Sequence, residues 1–151
     1  MLPDLTEYGL LPPGIHDATV DEIAELFGRF QWSDKRMKLM DRLRDFLTAA
    51  WAVDDGLQVL VDGSFIMAKV DAPDDIDLIV ALPRGWDIQA DVAPFKYNVV
   101  SKRMVRRLFG FDVLIGVDGQ AAIAEAIDFF CRVNTKWVQL LGIPVGTSKG
   151  I

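Results

Sequence analysis

The chain has 151 residues, of which 51% are apolar and 25% charged, the size and balance of one globular domain with its own core. Its net charge of −6 argues against a general binder of duplex nucleic acid, since such proteins are usually basic. One cysteine, Cys131, excludes a disulfide within the chain, and no apolar run approaches the roughly 18 residues that span a bilayer. We predict a single cytoplasmic domain over residues 1–151 with no membrane role. The mean hydropathy of +0.23 leaves room for a homo-oligomer or a protein partner.

The first third of the chain is predicted to be irregular and then helical. Residues 1–18 carry prolines and glycines that forbid regular structure. Thr19 and Glu22 have capping-box spacing, so a short helix should follow, with Ile23, Leu26 and Phe27 on its inner side. Ser33 or Asp34 can cap a second helix that reaches about Trp51. Its inner side is predicted from helical spacing: Met37, Met40, Leu43, Phe46 and Leu47.

The remainder of the chain alternates strands and helices. Strands are predicted over 57–61, 75–82 and 111–117, where short apolar runs are bounded by glycine or proline. A helix should run from Pro94 to Phe109 and end at Gly110. A last helix should begin at Gly119 or Gln120, before a tail that is mostly loop. The inward residues of the two helices are predicted to be Tyr97, Val100, Met104 and Leu108 in the first, and Ile123, Ile127 and Phe130 in the last. The fold class is α/β (α+β), with a small twisted mixed β-sheet flanked by helices.

Two aspartates stand at the start of the second predicted strand. Asp75 and Asp77 are two residues apart, and in a strand such residues point to the same face. Two adjacent carboxylates repel unless a cation, a proton or solvent relieves them. Mg²⁺ suits such a pair because it prefers carboxylate oxygens and keeps sites for water and phosphate. A solvent-facing edge is the alternative interpretation of the pair alone.

A third aspartate, Asp112, lies near the start of the next apolar strand. A carboxylate in that setting must be paired or bind a metal. If this strand neighbours the strand of Asp75 and Asp77, the three carboxylates converge, and that geometry suits two metal ions. A bond to a basic residue such as Arg107 is the alternative role of Asp112.

A Gly-Ser pair follows the first predicted strand directly. Gly63 allows the backbone to approach a phosphate closely, and the backbone amides and the Ser64 hydroxyl can donate to phosphate oxygens. Capping of a helix is the alternative role of Ser64.

The complete pattern resembles the signature of the polymerase-beta-like nucleotidyltransferase superfamily. The matching segments are Leu60-Val61-Asp62-Gly63-Ser64, a spacer of ten residues, and Asp75-Ile76-Asp77-Leu78, with Asp112 on a later strand. The segments 11–16 and 148–151 resemble a small bacterial and phage branch, that of minimal nucleotidyltransferase domains. The resemblance covers residues 57–116 as a catalytic core within a nucleotidyltransferase-like palm fold.

The resemblance implies a site and a reaction. Asp75, Asp77 and Asp112 would bind Mg²⁺ or Mn²⁺, and Asp112 would help deprotonate the acceptor hydroxyl. Gly63 and Ser64 would hold the phosphates of a nucleoside triphosphate such as ATP. The enzyme would transfer a nucleoside monophosphate to a hydroxyl of a protein, an RNA end or a small molecule, and pyrophosphate would leave.

The spacer after Ser64 departs from the pattern of toxin-linked relatives, which carry arginines there. Lys69 is its only basic residue and is a candidate triphosphate ligand. Lys102 and Arg106, one helical turn apart, are further candidates on a basic stretch. The missing arginines and the small size favour an alternative function: a weakly active or inactive protein that binds nucleotide or a partner, such as an antitoxin or regulatory subunit.

Overall fold

The computed structural model of the protein describes residues 1–31, 33–86, 96, 99–132 and 150. Both ends of four α-helices, three β-strands and one short 3₁₀ helix lie within these residues. In chain order they are α1 (Val20–Phe27), α2 (Lys35–Val53), β1 (Gln58–Asp62), the 3₁₀ helix (Ser64–Ile66), β2 (Asp77–Leu82), α3 (Lys102–Phe109), β3 (Asp112–Val117) and α4 (Ala121–Phe130). No helix in the described ranges is long and apolar enough to cross a bilayer.

The helix ends follow the local signals in the sequence. The capping box of α1 is complete, because the Thr19 side chain accepts from the Glu22 N–H and the Glu22 carboxylate accepts from the Thr19 N–H. Asp34 occupies the N-cap position of α2, while the Ser33 hydroxyl accepts from the Lys35 N–H at 3.3 Å. Gly110 closes α3 in the left-handed conformation with φ 78°, which glycine adopts without steric cost.

The three strands form one mixed sheet in the order β1-β2-β3. Strand β2 pairs antiparallel with β1 and parallel with β3. The parallel pair needs a crossover connection, and α3 lies within it. This architecture is the small α/β fold with a mixed sheet and flanking helices that the sequence predicts.

Helices cover both faces of the sheet. The larger core joins α2 and α3 to one face of β2, and its strand residues are Leu78, Val80 and Leu82. The other face of β2 carries Ile79 and Ala81, which pack with residues of α4. This alternation follows from the two-residue period of a strand. A central strand with two covered faces explains why β2 is almost entirely apolar.

Strand β2 begins two residues later than predicted. Asp75 and Ile76 precede it, and the Asp75 Oδ1 accepts from the Ile76 N–H at 2.8 Å. Pairing with β1 starts at Asp77, opposite Asp62. The chain turns at Gly63 immediately after Asp62, so Asp75 has no partner residue in β1. The prediction that Asp75 lies in the strand was therefore wrong.

The predicted helix from Pro94 to Phe109 is interrupted. Ser101 has an extended backbone (φ −110°, ψ 119°) and its hydroxyl accepts from the Met104 N–H, so α3 starts afresh at Lys102. The restart shifts the inward face: Val105 is buried and Leu108 is 50% exposed, against the prediction. Pro94 and Tyr97 lie outside the described residues.

Met37 was also predicted to face inward and is 46% exposed. Arg36 and Met40 occupy the inward side of α2 instead. Consecutive helical residues are about 100° apart around the axis, so Met37 is turned toward solvent. In the last helix Ile123 is buried, whereas Ile127 and Phe130 pack only partly against the core.

Candidate functional site

A row of three aspartates crosses one end of the sheet. Asp62 pairs with Asp77, and Asp77 pairs with Asp112 in the strand register. Strand β3 does neighbour β2, as the predicted convergence of carboxylates requires. Side chains of paired residues lie on the same face, and the residues two and four after Asp77 pack against α4. The aspartate row (Asp62, Asp77 and Asp112) therefore lies on the α4 face, buried at Asp62 and exposed at Asp112.

The Gly-Ser turn is packed directly against this row. Gly63 has φ 88°, and a Cβ placed on it would lie 2.8 Å from Oδ2 and 3.1 Å from N of Asp77. Only glycine fits this contact without a shift. Ser64 follows as the first residue of the 3₁₀ helix, whose cap position belongs to Gly63. Gly63 and Ser64 are thus adjacent to the middle aspartate of the row.

Arg106 joins two of the predicted carboxylates. Its Nη1 lies 3.0 Å from Oδ2 of Asp75 and 3.2 Å from Oδ1 of Asp112. The same nitrogen donates to the carbonyl of Gly110 at 3.3 Å. The predicted alternative partner of Asp112 was Arg107, and the neighbouring Arg106 takes that position. Asp75, although outside the strand, is brought to the same end of the sheet as Asp112.

The environment of Asp75 disfavours its charged form. Burial raises the pKa of the Asp75 carboxyl above its usual range. The N–H of Ile76 and the Arg106 guanidinium lower this pKa, and the Asp112 carboxylate raises it, with a net upward shift. A carboxyl in this state gains stability from an added cation.

Arg36 organises the segment that follows the Gly-Ser turn. It is 2% exposed, and its Nη1 donates to the carbonyls of Phe27 (3.1 Å) and Phe65 (2.5 Å). Its Nη2 donates to the carbonyls of Met67 (2.7 Å) and Val70 (2.6 Å). Burial lowers the pKa of Arg36 to about 10, so the guanidinium stays charged at neutral pH.

The two predicted lysine ligands lie in different places. Lys69 is exposed and its Nζ donates to the Glu7 carbonyl, which holds it on the N-terminal segment. Lys102 is exposed on the first turn of α3, one turn before Arg106. Of the basic candidates, Arg106 is the one that contacts two of the predicted aspartates, Asp75 and Asp112.

Comparison with known proteins gives the family. Residues 3–148 match the profile of a family described as "Family of unknown function (DUF6932)". The chain belongs to DUF6932. No curated protein and no solved structure matches it. The DUF6932 description contains no assignment to the nucleotidyltransferase superfamily, so that resemblance stays a prediction.

The carboxylates of this DUF6932 chain suit a hard divalent cation by their chemistry, because all are oxygen donors. Among the described residues, no group of three or more His, Cys, Asp or Glu side chains is arranged to hold a metal ion. The Arg106 guanidinium occupies the space between Asp75 and Asp112 instead. An ion shared by these two carboxylates requires Arg106 to move away.

Two residues of the site were missed from the sequence. Asp62 ends an apolar strand, the same signal that singled out Asp112, and it is buried in the aspartate row. Arg36 precedes Leu39 and Met40 by three and four positions, so it falls on the apolar stripe of α2. A charged residue on an apolar stripe is the signal that would have revealed it.

Proposed function

We propose that this chain is a metal-dependent nucleotidyltransferase. It transfers a nucleoside monophosphate from a nucleoside triphosphate to the hydroxyl of a protein, an RNA end or a small molecule, with release of pyrophosphate. The observation that carries the proposal is the contact of Gly63 with Asp77, which joins the Gly-Ser turn to the aspartate row. A phosphate held at Ser64 would then be next to the carboxylates that bind its metal.

Each group has a role that matches its position. Asp77 and Asp112 are paired across β2 and β3, and with Asp75 they would hold Mg²⁺ or Mn²⁺. The ion supplies charge stabilisation to the triphosphate and lowers the pKa of the attacking hydroxyl. Gly63 and Ser64 would position the phosphates. Arg106, with Lys102 one turn away, is a cationic group in contact with Asp75 and Asp112.

The test is calorimetric titration of each nucleoside triphosphate, with Mg²⁺ or Mn²⁺, into the wild type and Asp77→Asn. We expect metal-dependent binding whose affinity falls at least about tenfold in the variant. Loss of a group that hydrogen-bonds to a metal ligand already weakens metal affinity about tenfold, and loss of the ligand itself should cost at least as much. Asp74→Asn is the matched control. Asp74 lies three residues before Asp77, and its side chain is 90% exposed and pairs with Lys35.

Transfer is then measured with a triphosphate labelled at the α-phosphate and candidate acceptors of the three classes. Label on an acceptor from the wild type but not from Asp77→Asn supports the enzyme. No triphosphate binding with either metal would overturn the proposal.

The second candidate function is a nucleotide-binding or partner-binding protein with weak or no catalysis, such as an antitoxin or regulatory subunit. The ion pairs of Arg106 favour it, since they neutralise Asp75 and Asp112 without a metal. Triphosphate binding that is unchanged by removal of the metal, with no label transferred to any acceptor, would support this function over the first.

A further inference from the structure

A buried guanidinium lies beneath the segment that connects the Gly-Ser turn to the aspartates. Three of the four carbonyls that Arg36 holds belong to this segment, at Phe65, Met67 and Val70. The first of them is the residue directly after Ser64. Arg36 reaches them from α2, across 29 to 34 residues of sequence.

The contacts define which way the peptide groups of the segment face. In a trans peptide the C=O and the following N–H point in opposite directions, and the described residues contain no cis bond. With the Met67 carbonyl turned toward Arg36, the Ala68 N–H points away from it and donates to the Gly9 carbonyl at 2.9 Å. The segment is therefore held from its inner side by Arg36 and from its outer side by the N-terminal segment.

The turn itself is tied into this arrangement. The Met67 N–H donates to the Ser64 carbonyl at 3.1 Å, so Ser64 and Met67 are fixed relative to each other. A guanidinium can serve several carbonyls at once because its donors form a planar fork, whereas a lysine ammonium is a point charge. The hydrogen-bond acceptors of Arg36 in the described residues are neutral carbonyls, and none is a carboxylate.

We propose that Arg36 is a positioning residue for the triphosphate site: by holding the carbonyls of Phe65, Met67 and Val70, it fixes the turn that presents Ser64 to a phosphate. The inference rests on the proposed function of Gly63 and Ser64. Arg36 is buried, so its effect passes through the turn. The metal carboxylates Asp75 and Asp112 are held by other contacts and should depend on it much less.

The test compares Arg36→Lys with the wild type in two calorimetric titrations, Mn²⁺ alone and each nucleoside triphosphate with Mn²⁺. We expect triphosphate affinity to fall about tenfold or more, while the affinity for Mn²⁺ alone changes less than about twofold. Hydrogen exchange should quicken at the amides of residues 65–70 and stay unchanged in β2. Arg44→Lys is the matched control, because Arg44 lies on the same helix with an exposed pair to Asp21.

Wild-type triphosphate affinity in a folded Arg36→Lys variant would overturn the inference and leave the proposed function intact. An equal loss of both affinities would also overturn it, since that is the result of a general structural role. If the wild type binds no triphosphate, both proposals fail. If the lysine variant does not fold, Arg36→Gln, which keeps amide donors, replaces it in both titrations. If neither variant folds, Arg36 is a residue of global stability and the inference is overturned.

Discussion

Arg106 is the residue that sets the charge balance between Asp75 and Asp112. Its Nη1 is within 3.2 Å of an oxygen of each carboxylate, and the arginine side chain is 57% exposed. An exposed pair of this kind contributes little to stability, so it is readily exchanged for another cation. A bound metal ion would therefore compete with the guanidinium for the same two oxygens.

Replacement of Arg106 by alanine is expected to strengthen the binding of Mn²⁺ without nucleotide by about fivefold or more, as removal of a competing ligand does. Calorimetry or the paramagnetic signal of free Mn²⁺ measures this affinity. Arg103→Ala removes the same charge from an exposed position of α3 and should leave the affinity close to that of the wild type. Unchanged or weaker Mn²⁺ binding in Arg106→Ala would contradict the exchange.

At the scale of single residues, the sequence predicted those site residues that belong to a recognisable spacing pattern. Gly63, Asp77 and Asp112 were selected by pattern, and they lie together at one end of the sheet. Arg36 could not be assigned its contacts, because its acceptors are main-chain carbonyls and every residue type carries one. Asp62 lies within the Gly-Ser motif, but no feature of the sequence was a reason to assign it a role. The strand register places it beside Asp77.

At the scale of elements, α1 depends on its N-terminal cap more than a longer helix would. It has eight residues and buries only Phe27 completely, so local hydrogen bonds contribute much of its stability. Thr19→Ala removes the acceptor for the Glu22 N–H and should lower the free energy of unfolding by about 1 kcal/mol. Urea unfolding followed by circular dichroism measures it, with Thr48→Ala, in the middle of α2, as the control. A Thr19→Ala loss no larger than that of Thr48→Ala would show that the cap is unimportant.

The other half of the capping box gives a pH dependence. The hydrogen bond from the Thr19 N–H, together with the N-terminal ammonium and the Thr19 hydroxyl, lowers the pKa of Glu22 from 4.5 to about 2. A carboxyl with a lowered pKa in the folded state stabilises the fold above its unfolded pKa, and this contribution is lost as the pH falls from about 4.5 to about 2. Glu22→Gln should therefore be less stable than the wild type at pH 6, with the difference shrinking at pH 2.

Unfolding in urea at a series of pH values measures that difference. Glu25→Gln removes the same charge from α1 without touching Thr19 and controls for net charge. A deficit in Glu22→Gln as large at pH 2 as at pH 6 would contradict the lowered pKa of Glu22.

Element positions were predictable where caps or glycines mark them, and less so where tertiary pairing decides. The box at Thr19 and the end at Gly110 were confirmed. The start of β2 is set by the position at which β1 ends and turns away. The residue pattern of β2 alone does not contain this information. The interruption at Ser101 shifted the buried face of α3, since a helix that restarts does not keep the phase of the preceding turn.

At the scale of the whole molecule, the sheet separates two hydrophobic cores of unequal size. Ile79 is fully buried against α4, while its partner in the register, Leu114 of β3, is 36% exposed. Ile79→Ala should lower the free energy of unfolding by about 2–5 kcal/mol through lost burial and a cavity. Leu114→Ala, on the same face one strand away, should cost less. Urea unfolding measures both, and equal losses would show that α4 does not cover β2 more closely than β3.

The fold class was the most predictable property at this scale. Alternating strand and helix patterns indicated a small sheet with helices on it, and the structure has that form. The pairing directions were not predictable from the chain alone, because the same apolar run in β2 suits a parallel or an antiparallel neighbour. The register that aligns three aspartates is a product of those directions.

The long sequence separation of the Arg36 bonds also has a consequence for kinetics. Their acceptors at 65–70 lie 29 to 34 residues along the chain, and closing such a loop costs entropy before any bond repays it. These bonds should therefore form after the barrier to folding, once α2 and β1 have docked. Substitutions that remove them would then quicken unfolding and leave the refolding rate almost unchanged. The Gly-Ser turn would be among the last parts of the protein to acquire its final shape.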